Sequence, residues 1–153
     1  MTQFEKMLYA DTLPPDRFNA VWWDLVRRYQ GVEPPAPRGE QFADALSKTH
    51  ISDDAAQYYD YALSHALLFQ LHDHIARTIL RQDPHDTDYF GSVATGSFLR
   101  NLMAPGSSRP WRDVLRETTG RSLDAQAMVA YFQPLYEWLQ QQNQGRTVTL
   151  PAL

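Results

Sequence analysis

The chain has 153 residues, 43% of them hydrophobic, enough to bury the core of one domain. A net charge of −4 and a pI near 5.6 argue against nucleic acid as a partner, because no basic stripe is available to displace counterions from phosphates. The longest apolar run is a few residues, far short of the roughly 20 that a membrane-spanning helix needs, and the lack of cysteine removes any disulfide framework.

Along the chain, the segment from Met1 to Tyr9 lacks the basic stretch and continuous apolar core of a secretory signal, so the compartment stays open. Pro14-Pro15-Asp16 reads as a helix start, since proline presets φ in the first turn and a carboxylate suits the positive helix end. Gly31, after Arg27-Arg28, is the matching stop. Pro34, Pro35 and Pro37 then forbid helix and favour an extended connector leading toward His50.

A long helix is expected from Asp53 to Arg81, its apolar stripe running through Tyr58, Tyr61, Ala62, His65, Leu68, Phe69, His72, Ile75, Ala76 and Ile79. Pro84-His85-Asp86 breaks it, and a shorter helix from Phe90 to Met103 follows. Pro105 to Ser108 reads as a loop, and Pro110 opens a helix reaching Glu117, with Gly120 as its stop. Ser122 is the expected N-cap of the last helix, Asp124 suits its first turn, and Pro134 should kink it. The run Gln140 to Gln142 reads as a solvated helix end, and Gly145 to Leu153 as a frayed tail. Apolar–polar alternation is missing throughout, so the fold class is all-α, a single helical domain over 1–153.

Two clusters invite a ligand reading. His65, His72 and His74 suggest a metal, but His65 and His72 are seven residues apart, about 10.5 Å along a helix axis at about 1.5 Å per residue, too far to share one zinc ion. Trp22-Trp23 with Tyr29 suggests an aromatic platform; large aromatics at helical spacing are more often core. The most informative stretch is Lys48-Thr49-His50 followed by Tyr58 and Tyr61. An ammonium, an imidazole and two phenols are groups that can hold a peptide carboxylate and stabilise the oxyanion of a carbonyl under attack. Without further context the same residues describe a solvated loop running into a core helix.

That context comes from an ordered series of short matches between Phe18 and Trp138. They are Phe18-Asn19-Ala20-Val21-Trp22-Trp23-Asp24-Leu25, Tyr29-Gln30-Gly31, Pro34-Pro35-Ala36-Pro37-Arg38, Lys48, His50-Ile51, Phe69-Gln70-Leu71-His72, Ser108-Arg109-Pro110-Trp111, Thr119-Gly120 and Tyr131-Phe132-Gln133-Pro134-Leu135 with Trp138. In order and spacing the chain resembles the C-terminal part of the angiotensin-converting-enzyme (peptidyl-dipeptidase A) family of zinc metallopeptidases. The resemblance implies a helical fragment or subdomain of a mostly helical zinc peptidase that releases dipeptides from peptide C-termini.

Carried over residue by residue, it implies that Lys48 pairs with the substrate's C-terminal carboxylate and that Tyr58 donates to the same group. His50 would bind the carbonyl near the scissile bond and assist proton donation, and Tyr61 would stabilise the oxyanion. One extra residue between His50 and Tyr58 relative to the family makes Tyr59 the competitor for the first tyrosine role. His72 matches a histidine within the family's helical scaffold. In Ser108-Arg109-Pro110-Trp111 the serine should cap, the proline open a helix and the tryptophan pack beneath it.

The sequence also departs from the family. It has no H-E-x-x-H, the pattern that places two zinc-binding histidines and a water-activating glutamate on one helical face. Zinc is therefore a cofactor of the parent family with no ligand set in this chain, and the chain is expected to be inactive alone. Val26 and Asp60 stand where the family has arginines of its chloride sites, and Ala76 where animal members have the first cysteine of a pair. The expected partners are a peptide C-terminus and either the N-terminal portion of such an enzyme or a second copy, through apolar faces that include Trp22, Tyr58 and Tyr61. The alternative function is a stand-alone helical interaction module.

Overall fold

Eight residues are too few for a helix to persist in water without tertiary support, yet Thr2–Tyr9 forms the first helix, α1. Its support is Phe4, fully buried and edge-on to Trp22 with ring centroids 5.5 Å apart and to Phe18 at 6.3 Å. This computed structural model describes residues 1–147, and every regular element among them is helical. The tail expected over 145–153 lies outside the described residues from position 148 onward.

The described residues fall into two units, one built on Met1–Ala62 and the other on Leu63–Gln144. In the first, a 3₁₀ turn at Pro15–Arg17 opens α2 (Phe18–Gln30), and Gly31 ends it in the left-handed conformation at φ 65°. A residue without Cβ takes that conformation at little cost, which is why glycine stops the helix here. The proline-rich stretch carries no regular element as far as a 3₁₀ turn at Glu40–Phe42, and a second 3₁₀ turn, Asp44–Ser47, leads into the short α3 (Thr49–Ser52). The core of this unit is Phe4, Leu13, Trp22, Val26, Ala45 and Ile51.

The helix expected from Asp53 instead begins at Tyr59. Asp53 and Asp54 close α3 by donating backbone N–H bonds to the Thr49 carbonyl, and Ala56 takes φ 60°, a left-handed conformation that no helix continues through. From Tyr59 the helix, α4, runs to His74 and continues as a π-helical segment, Ile75–Leu80, that ends at Arg81 in the left-handed conformation.

In the second unit the expected stripe holds at Ile75 and Ala76 but is shifted by one residue earlier in α4. Ala66, Gln70, Ile75 and Ala76 are buried, while Leu68 is 57% exposed. Gln70 earns its burial through both ends of its amide: Nε2 donates to the Ser122 carbonyl at 3.0 Å, and Oε1 accepts from the Asp124 N–H at 3.1 Å. α5 (Val93–Met103) starts later than Phe90 because Ser92 is its N-cap, the hydroxyl accepting from the Thr95 N–H; Phe90 itself is exposed. α6 (Trp111–Thr119) follows Pro110 and ends at Gly120, φ 75°.

The expected Ser108 cap is not made: its hydroxyl donates to the Pro105 carbonyl and closes the preceding turn, while Arg109 pairs with Glu117 at 2.6 Å. Trp111 is only partly underneath. It lines an apolar cavity of about 120 Å³ with Leu67, Leu102, Val114 and Leu115, yet stays 41% exposed under the Arg112 guanidinium. α7 (Gln126–Gln142) runs through Pro134, and Gln140 to Gln142 at its end are exposed. Its first turn is capped by the Asp124 carboxylate, which accepts from the Gln126 N–H at 2.8 Å, and not by Ser122, whose carbonyl is held by Gln70.

Candidate functional site

The site is built on a helix that cannot cap itself. Arg17 at the N-cap of α2 offers no side-chain acceptor, and the carboxylate that fills the role comes from 21 residues away: Glu40 accepts from the Asn19 N–H at 2.6 Å and the Ala20 N–H at 2.9 Å. A carboxylate there satisfies open backbone donors and meets the positive end of the helix dipole. Asn19, with no exposed surface, uses its whole side chain. Nδ2 donates to the carbonyls of Arg38 and Gly39, and Oδ1 accepts from the Asp44 N–H at 2.8 Å.

Asp44 closes the frame. Arg38 reaches it with two N–H groups, both at 2.6 Å, and Trp23 adds an indole N–H at 2.8 Å. These donors, the Arg38 guanidinium foremost, hold the Asp44 carboxyl well below the usual carboxylate range, and Asp44 in turn raises Arg38. The guanidinium also lies 3.9 Å over the Phe42 ring. Residues 38 to 44 are thus fixed on α2, and the turn after Asp44 delivers Lys48 and His50.

Ile51, buried in the core, and the bond from the Tyr9 hydroxyl to the Ile51 carbonyl hold α3 in place. His50 then faces two phenols. Its Nε2 is 3.2 Å from the Tyr61 hydroxyl, the tautomer deciding which group donates, and its ring is edge-on to Tyr58 and Tyr61 at centroid distances of 5.2 and 5.7 Å. Tyr58 and Tyr61 are themselves 5.0 Å apart. The late start of α4 leaves Tyr58 in the turn before the helix, where it meets His50. Lys48, His50 and Tyr58 line one open groove of about 570 Å³ together with Trp22, Trp23 and Asp44. All four predicted site residues therefore share one unit: three are in mutual contact, and the fourth, the exposed Lys48, lies along the adjoining groove.

Residues 1–150 of the 153 match the family model described as angiotensin-converting enzyme. The chain belongs to that family. It is 40% identical to bovine angiotensin-converting enzyme over 139 residues, 90% of this chain and 11% of the bovine protein. It is 37% identical to the mouse angiotensin-converting enzyme-like protein Ace3 over 153 residues, 97% of this chain and 21% of that one. With the fruit-fly (Drosophila melanogaster) angiotensin-converting enzyme-related protein it shares 33% over 156 residues, 97% of this chain and 25% of the relative. The chain thus spans a quarter or less of the length of these curated relatives.

Zinc, which the family resemblance implies, does not fit the described residues. No group of three or more histidine, cysteine, aspartate or glutamate side chains among them could hold a metal ion. His72 has both ring nitrogens engaged, Nδ1 by the Tyr89 hydroxyl and Nε2 by the Pro84 carbonyl at 2.6 Å, and His74 stacks on Phe98 with its pKa lowered by burial. Among the family's chloride-site positions, Val26 is a core residue and Asp60 is exposed. Trp22 is covered by Phe4 and so is no free apolar face; Trp23 is half-buried, and Tyr29 is exposed.

Sequence reasoning missed the frame beneath the site: Glu40, Asn19 and Asp44, and the pairing role of Arg38. Their signal is entirely long-range. An acidic residue in a turn and an asparagine at a helix start are ordinary locally, and only the fold brings Glu40 to α2.

Proposed function

We propose that this chain is the carboxylate-binding side of a zinc peptidyl-dipeptidase of the angiotensin-converting-enzyme family, without turnover of its own. The observation that carries the reading is the His50–Tyr58–Tyr61 cluster beside a groove lined by Lys48. Lys48 is the only lysine or arginine among the described residues that line the groove, and its ammonium suits the terminal carboxylate of a peptide. The Tyr58 hydroxyl would donate to the same group. His50 would hold the adjacent carbonyl, and the hydroxyl of Tyr61 would face an oxygen gaining negative charge. The further partner is a second copy of the chain or a longer portion of such an enzyme.

Calorimetric titration with an N-acetylated dipeptide and with its C-terminal amide tests the proposal. The free carboxylate should bind at least about tenfold more tightly, as a charge-assisted contact implies, and Lys48→Ala should abolish the difference. Equal affinity for both forms, or none for either up to millimolar concentration, would sink the carboxylate reading. Separately, chelator-sensitive release of dipeptide from a blocked tripeptide, lost in Tyr61→Phe, would show that the chain holds a complete catalytic site.

A further inference from the structure

The turn after the π-helical segment, a 3₁₀ turn at Pro84–Asp86, carries a histidine with an unusual set of neighbours. The Nδ1 of His85 is 3.0 Å from Asp83 Oδ1, and its Nε2 is 2.8 Å from the main-chain carbonyl of Tyr131 on α7. Both neighbours are acceptors without a hydrogen to give. A neutral imidazole has one N–H and can satisfy only one of them, whereas the imidazolium has two and satisfies both. The ring also lies parallel to the Tyr131 ring, with centroids 4.4 Å apart and an interplanar angle of 18°, an arrangement a cation favours. With its side chain 41% exposed, His85 can exchange protons with solvent.

We propose that His85 is a pH-governed latch: protonated, it is held by Asp83 within its own turn and ties that turn to the Tyr131 carbonyl of α7, and on losing a proton it keeps its one N–H on the Asp83 carboxylate, the charged and stronger acceptor, and releases the Tyr131 carbonyl. The turn is anchored independently on its other side. His72 of α4 holds the Pro84 carbonyl and meets the Tyr89 hydroxyl, so opening the latch loosens the α7 contact and leaves the α4 contact in place.

The surrounding charges set the direction. In the turn, Asp83 holds both the ring and the His85 N–H, and Asp86 is exposed. From α4 and the π segment come His72, Asp73 and Arg77, the last two paired with each other at 2.7 Å; α7 presents Tyr131. The Tyr131 carbonyl and then Asp83 raise the histidine's pKa, with Arg77 opposing, and His85 in turn lowers Asp83. A raised folded pKa means that the latch contributes fully below the ordinary imidazole value of about 6.5 and loses its contribution as pH rises through the higher folded value.

NMR of the whole chain tests this. The His85 Cε1–H resonance should titrate above the ordinary imidazole value and above His74, and Asp83→Asn should lower its midpoint. Amide exchange at His85, corrected for its intrinsic pH dependence, should quicken on the order of threefold across that titration, the scale of an exposed ion pair. His85→Phe, which keeps the ring stack and removes both bonds, should exchange quickly at every pH. A wild-type His85 titrating at or below the ordinary value would overturn the latch whether or not either variant folds. Exchange that ignores the titration would overturn it equally.

Discussion

Asn19→Ala probes the frame that carries the site. The Asn19 side chain makes three hydrogen bonds from a position with no exposed surface, two donated to the carbonyls of Arg38 and Gly39 and one accepted from the Asp44 N–H. Alanine removes all three and leaves three backbone groups to find water through a partly covered wall. At about 1 kcal/mol net per bond, the loss should be about 3 kcal/mol. Urea unfolding followed by far-ultraviolet circular dichroism should show a midpoint lower by about 1–2 M with an unchanged slope. Asn19→Asp keeps the acceptor for Asp44 but turns a carboxylate toward two carbonyls, so it should cost at least as much as alanine. The consequence should reach the site: amide shifts from Asp44 to His50 should move in Asn19→Ala, while those of α6 stay. A stability loss below about 1 kcal/mol, or unmoved resonances between 44 and 50, would show that the segment bearing Lys48 and His50 is held by something other than this asparagine.

The Asp44 carboxyl, depressed by Arg38, Trp23 and Asn19, contributes stability that is complete above its unfolded value near 4 and is lost as pH falls through its lower folded value. The gap in stability between wild type and Asp44→Asn should therefore be widest near neutrality and narrow below about pH 4; a gap independent of pH in chemical denaturation would refute the pairing. Self-association is the expected outcome of the α7 surface, where Val129, Phe132, Leu135, Tyr136 and Leu139 are all at least 41% exposed. A homodimer burying at least about 1,000 Å² is the expected remedy for such a stripe, and light scattering across a dilution series that finds only monomer would dismiss it.

What the sequence determined by itself lies where chemistry is local. Gly31 and Gly120 stop their helices because left-handed backbone suits a residue without Cβ, and the prolines from 34 to 37 keep regular structure out of the connector. The short matches between Phe18 and Trp138 carried the family and pointed to four candidate site residues, though not to how they are held. Tertiary structure decided the rest. α1 exists because Phe4 has Trp22 to bury against; α2 is capped because Glu40 comes back to it; Gln70 is buried because Ser122 and Asp124 satisfy its amide. Ala55 and Ala56 favour helix, yet Ala56 turns left-handed and the chain returns Tyr58 to His50. The common reason is that a buried polar group or a short helix is stable only with partners supplied from far along the chain, and single-sequence periodicity reports neighbours three or four residues apart.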